Sequence, residues 1–458
     1  MDDARRPLMS IRCDESRRCR PSFVRFLTAI TLFSLWLIFS LSPASTLAAT
    51  PPAQPASGPG GADYAHRSVS TSIHGFGDLQ YYLFEPDNPK PQTAPLIVFT
   101  HGYGGTNPAS YGAWIEHIVR RGNIVIYPKY QSLTSMIGGS FRYTSNCISS
   151  VQDALEVLKT AGHVKPDLDK FATVGHSYGG ILTVNIAALA QKSGLPAPRA
   201  VMSVQPGVTP AMPLEDLSLI PSDALLIVVV GDRDLVVGNK DAKKIFRLTR
   251  QIPLENKDYI IMVSDTHGTP RLSADHFAPT SLATIGGLLP DPGRIVPDYG
   301  SIVPAALRPY LSGESLGPDF PSLLPDAEGA VPEFGGIFGA YFQNLADKVR
   351  SSTSEEDDLS DPDTLWPDPS TLMAESGLLL PSAPSTTAAS VNLGSFIPMF
   401  GTNALDYYCL WKLFDALTDA AFYGKNREYA LGNTQQQRYM GEWSDGKPVK
   451  ELIVTDNP

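Results

Sequence analysis

One serine stands where it could act as a nucleophile. In Phe171-Ala172-Thr173-Val174-Gly175-His176-Ser177-Tyr178-Gly179-Gly180 it lies between two glycines, after an apolar run and before a helical pattern. A G-x-S-x-G between a strand and a helix makes a sharp turn that presents the hydroxyl, and the glycines let neighbouring backbone approach without a clash. The helix that follows would aim its free N–H groups and dipole at developing negative charge. The chemistry such a residue supports is attack on a carbonyl carbon. Upstream, Phe99-Thr100-His101-Gly102-Tyr103-Gly104-Gly105 follows another apolar run. A glycine-rich turn there can supply a main-chain N–H to an oxyanion, with a second from the residue after the nucleophile. The expected donors are the backbone amides of Tyr103 and Tyr178. His101 and His176, which flank these turns, are expected to be structural.

A serine needs a base, and the base needs a group that fixes its tautomer. After the apolar run Leu225–Val230 come Asp232 and Asp234, and after Tyr259–Val263 come His267 and His276. The residues alone leave both choices open. The eight histidines never fall into metal-ligand spacing with a carboxylate, no C-x-x-C exists, and no phosphate-cradling G-x-x-x-x-G-K-S/T appears. No cofactor, metal or nucleic-acid partner is implied.

The elements that must position these residues alternate. Strand candidates are Leu79–Phe84, Pro95–Thr100, Asn123–Tyr127, Phe171–Val174, Ala200–Val204, Ala224–Val230 and Tyr259–Val263, with helical patterns at Tyr111–Arg121, Ser149–Ala161 and Gly180–Lys192. Such alternation predicts an α/β fold, a mostly parallel sheet with helices on both faces. Tyr407, Leu410, Trp411, Phe414, Leu417 and Ala421 recur at helical spacing and predict a helix that packs back on the sheet.

The glycine-rich turn, the serine elbow, Gly231-Asp232-Arg233-Asp234 and then a histidine, in that order, resemble the α/β-hydrolase superfamily. Within it the pattern is similar to bacterial cutinase-like and polyester hydrolases and to chlorophyllase and dienelactone-hydrolase relatives. The resemblance covers roughly residues 65–289. It implies an α/β-hydrolase fold and a serine esterase, lipase-like, of the carboxylic ester hydrolase type. It further implies that Asp234 is the acid, with Asp232 as alternative. His276 is implied as the base, because Ala274-Asp275-His276-Phe277-Ala278-Pro279 is similar to the surroundings of the base in polyester hydrolases; His267 is the alternative. A small-molecule, lipid or polyester ester is the expected substrate. The competing expectation is a catalytically inactive binding protein of this fold at the cell envelope.

The remaining segments set the domain boundaries. Seven arginines between Arg5 and Arg25 precede an apolar run from Phe26 to Leu41 and small residues at Ser45-Thr46-Leu47-Ala48-Ala49. Residues 1–49 thus read as a signal peptide or a retained membrane anchor, and the protein as secreted or membrane-attached. Residues 50–64, rich in Pro, Ala and Gly, read as a flexible linker. The core is expected over 65–289. Residues 290–400 hold 15 prolines and 16 acidic against 4 basic residues, so the net charge of −11 resides there. That segment reads as a Pro-rich acidic insertion, disordered or lid-forming. Residues 401–458 read as a C-terminal helix and tail. Cys147 and Cys409 would remain after signal removal, as one disulfide or as two buried thiols.

Overall fold

A computed structural model describes residues 48–132, 142–207, 213–281, 283–285, 287–288 and 401–458. The expected targeting segment up to residue 47 and the expected insertion over 290–400 lie outside the described residues.

Nine strands form one sheet: β1 Ser68–His74, β2 Tyr81–Asp87, β3 Thr93–Thr100, β4 Ile124–Pro128, β5 Lys165–His176, β6 Ala200–Val204, β7 Leu225–Gly231, β8 Lys257–Met262 and β9 Ile453–Thr455. Their spatial order is β1-β2-β4-β3-β5-β6-β7-β8-β9. The six strands from β4 to β8 run parallel, whereas β1, β2 and β9 pair antiparallel at the edges. Helices cover both faces, giving the α/β-hydrolase fold that the motifs implied.

The central strands are apolar on both sides because both sides are covered. Phe84, Ile97, Val174 and Val229 face α1 (Gly112–Arg120) and the C-terminal helix α5 (Lys412–Tyr423), which continues a π-helical turn at Asp406–Trp411. Leu83, Val98, Val201 and Val228 face α2 (Tyr143–Val157), α3 (Tyr178–Leu189) and α4 (Lys240–Leu248). Helix α3 is buried on nearly every side, as its uniformly apolar composition requires. Cys147 belongs to the second face and Cys409 to the first. Both are free buried thiols, so the sheet stands between them. Burial pushes the Cys409 thiol up to about 12 and that of Cys147 well above the usual range, leaving both poor nucleophiles.

The expected flexible linker over 50–64 is corrected by its contacts. Thr50 exchanges backbone and side-chain hydrogen bonds with Ser444, and Thr269 N donates to Ala49 O at 2.7 Å. Gly60 N donates to Asp415 Oδ2 at 2.7 Å, and the same oxygen pairs with Arg121 Nε at 3.2 Å and sits 2.9 Å from His117 Nε2. Composition suggested a tether because Pro and Gly lack side-chain information, yet their main-chain groups can be bound by a distant carboxylate as well as by water. Gly60 suits this position: φ is +79° and a Cβ would lie 2.0 Å from Tyr407 O.

Strand β1 carries no apolar run, only the half-exposed Ser68-Val69-Ser70-Thr71-Ser72-Ile73-His74, so hydropathy gave it no signal. It exists through pairing with β2 along its whole length. Strand β9, in a tail to which no element was assigned, likewise forms by pairing with β8. Among the described residues no helix is long and apolar enough to cross a membrane.

Candidate active site

The site lies where parallel strands end, the edge at which this class of sheet collects its functional loops. Strand β5 stops at His176, and Ser177 takes φ 58° and ψ −122° before α3 begins at Tyr178. A positive φ at a residue with a Cβ costs on the order of 1–3 kcal/mol and persists only where the surroundings impose it. Here the surroundings are the strand, the helix and Thr100: a Cβ on Gly179 would come within 2.1 Å of Thr100 O, and one on Gly175 within 2.1 Å of Thr100 Oγ1. Thr100 Oγ1 donates to Gly179 O at 2.7 Å. The two motif glycines are therefore required by close packing between the elbow and the end of β3. Two further non-glycine residues with positive φ, Tyr130 and Gln205, follow β4 and β6 at this same edge.

Ser177 Oγ is 2.9 Å from His276 Nε2, and His276 Nδ1 is 2.9 Å from Asp234 Oδ2. All three residues are buried. Asp234 Oδ1 accepts from the amides of Val236 and Val237, each at 3.1 Å, so this carboxylate has donors on both oxygens. Such a carboxylate can hold the imidazole with its proton on Nδ1, leaving Nε2 as acceptor for the serine proton.

The alternatives fall elsewhere. His267 is exposed, with Nε2 2.7 Å from Asp445 Oδ2 and its ring against Trp443. Asp232 is exposed, and its carboxylate accepts from Ser264 N and Ser264 Oγ. Ser264 Oγ in turn accepts from Ala274 N at 2.9 Å, so Asp232 braces the loop that delivers His276. That loop is also held by Gln205, whose Nε2 donates to Asp275 O at 2.8 Å, and by Arg233 N donating to Ala274 O.

The glycine-rich loop after β3 is pinned on either side of Tyr103. Gly102 N donates to Tyr111 Oη at 2.9 Å and Gly104 N to Gln131 Oε1 at 3.0 Å. Tyr130 Oη donates to His101 O at 2.6 Å. The Tyr103 ring lies 5.9 Å from that of Tyr178, the first residue of α3. A loop held this firmly can present an amide without reorganising during reaction. His101 is fully buried, with Gly102 O 2.6 Å from Nδ1 and Lys129 O 2.9 Å from Nε2. Burial pushes this imidazole down to about 4, so at neutral pH its single ring proton serves one carbonyl at a time.

Sequence reasoning missed Gln131, Gln205 and Asp275. The first two are polar residues shortly after apolar strands, a position that could have signalled them. Gln131 is fully buried and its Nε2 has no hydrogen-bond partner, and the same holds for Gln205 Oε1. Asp275 is buried beside His276. Desolvation above all, and secondarily the Asp234 charge, push its carboxyl up to about 7. A carboxyl whose folded-state value exceeds the unfolded one stabilises fully below about pH 4 and loses that contribution as pH rises through 7. Asp275→Asn keeps the acceptor for Phe277 N but cannot ionise. Urea unfolding is expected to show the variant gaining on the wild type between pH 4.5 and 8, by up to about 4 kcal/mol for a three-unit shift. Parallel pH profiles for the two proteins would overturn this assignment.

Among the described residues no group of three or more His, Cys, Asp or Glu side chains is placed to hold a metal ion. Residues 83–212 match the family model for chlorophyllase, a span that runs from β2 through the glycine-rich loop and the serine elbow to beyond β6. No curated protein matches the chain. The match and the sheet together support a hydrolase function of the ester-cleaving type on an α/β-hydrolase fold.

Proposed function

We propose that the protein is an exported serine hydrolase that cleaves carboxylic esters through an acyl-enzyme intermediate. The observation that carries this reading is the buried relay of 2.9 Å contacts from Ser177 Oγ through His276 to Asp234 Oδ2. In acylation Ser177 Oγ attacks the ester carbonyl carbon while His276 Nε2 takes its proton. Asp234 steadies the imidazolium, and the amides of Tyr103 and Tyr178 donate to the oxyanion. His276 then hands its proton to the leaving alkoxide, and the C–O bond breaks. Water, deprotonated by the same Nε2, attacks the acyl carbon; the carboxylic acid departs and Ser177 regains its proton. Export is supported by the arginine-rich start, the apolar run and the small residues that follow.

The test is hydrolysis of p-nitrophenyl acetate and butyrate by the chain from Ala49 onward, with a fluorophosphonate label located by mass spectrometry. Turnover with the label on Ser177 is the expected result. A folded protein with neither would instead favour a binding protein on the same fold.

A further inference from the structure

Two buried side chains between the oxyanion loop and the base have no role in the steps above. Tyr111, at the entry to α1, and His176, the last residue of β5, are both fully buried. Gly102 N lies 2.9 Å from Tyr111 Oη, and Tyr111 Oη lies 2.9 Å from His176 Nδ1. An amide can only donate, so the phenol oxygen accepts from Gly102, and the same oxygen is within hydrogen-bond distance of Nδ1. Burial above all, and the neighbouring His276 ring, hold His176 well below the usual histidine range, in keeping with a neutral ring. Its centroid is 4.7 Å from that of His276, and its Nε2 has no hydrogen-bond partner.

We propose that Tyr111 and His176 form a positioning strut: one phenol hydroxyl fixes both the Gly102 amide, next to the oxyanion donor of Tyr103, and the His176 ring that backs the His276 imidazole. The inference rests on the hydrolase reading. Its physical content is that the oxyanion loop and the base are carried by segments far apart in the chain, after β3 and after β8. Hydrogen bonds within each loop cannot set their mutual distance, but a rigid aromatic pair in contact with both can. A neutral ring suits the place beside His276, because a second positive charge there would oppose the imidazolium that forms during reaction.

The experiment compares wild type, Tyr111→Phe, His176→Asn and the double variant for ester turnover per active site, with sites counted by fluorophosphonate titration. Tyr111→Phe keeps the ring and removes the shared hydroxyl. It is expected to lower kcat per titrated site by about 10- to 100-fold, the scale of a small misplacement of reacting groups, with KM within about twofold. His176→Asn keeps an acceptor for Tyr111 and removes the ring behind His276. A similar loss is expected, and the double variant should be no worse than about the poorer single one, as for residues that act as a unit. Fewer titratable sites with unchanged kcat per site would show a merely structural role and overturn the proposal. So would losses that multiply in the double variant. If Tyr111→Phe does not fold, wild-type kcat per site in His176→Asn overturns it alone. Absence of turnover and label in the wild type would instead remove the hydrolase reading, and the strut with it.

Discussion

Ser177→Ala is expected to lower kcat/KM for p-nitrophenyl butyrate by about 10⁴-fold or more, equivalent to about 5 kcal/mol of transition-state stabilisation. The fluorophosphonate label should vanish with it. The loss should be in chemistry and not in folding. Oγ makes its hydrogen bond to His276 alone among the contacts that hold the elbow, whereas Ser177 N bonds to Val204 O and Ser177 O accepts from Gly180 N. The strained φ of 58° belongs to the backbone and is the same for alanine. The thermal midpoint should therefore stay within a few degrees of wild type, since a change of about 1 kcal/mol moves a domain of this size by only about 2–4 °C. Retained turnover in a folded Ser177→Ala protein, with the label on another residue, would remove Ser177 from the mechanism.

The second large effect separates the two histidines that the residues alone left open. His276→Ala is expected to reduce kcat by about 10⁴-fold, because without a base the hydroxyl attacks as a neutral alcohol. His267→Ala should leave kcat within about threefold, as expected for an exposed side chain away from the reacting groups. The structural cause is plain: His267 spends Nε2 on Asp445 at the surface, while both ring nitrogens of His276 are committed to Ser177 and Asp234. Kinetics of the two variants side by side, with circular dichroism to verify folding, decide the matter. A silent His276→Ala beside an inactive His267→Ala would overturn the assignment.

Local pattern carried much of the central fold. Seven apolar runs correspond to seven of the nine strands, because strands buried on both faces must be apolar throughout. The elbow was legible for a related reason: a turn packed against Thr100 tolerates only glycine at 175 and 179. Edge strands β1 and β9 were invisible, since one is half-exposed and the other has only three residues, and backbone pairing leaves no hydropathy trace. Residues 50–64 misled composition because the groups that bind them, Asp415 and Ser444, are hundreds of positions away.

By its own residues, then, the sequence determined the serine elbow, the glycine-rich loop and the α/β class, all properties of short stretches whose steric demands are local. Only the tertiary structure brought His276 rather than His267 against Ser177, and Asp234 rather than Asp232 against His276. Both members of each pair follow the same strand, and which one joins these contacts depends on how the loop is folded back. Asp232, Gln205 and the Ala274 carbonyl impose that path through bonds between segments that no local pattern connects. The same holds for Tyr111 and His176, 65 positions apart, which become partners only when β3, α1 and β5 are packed together.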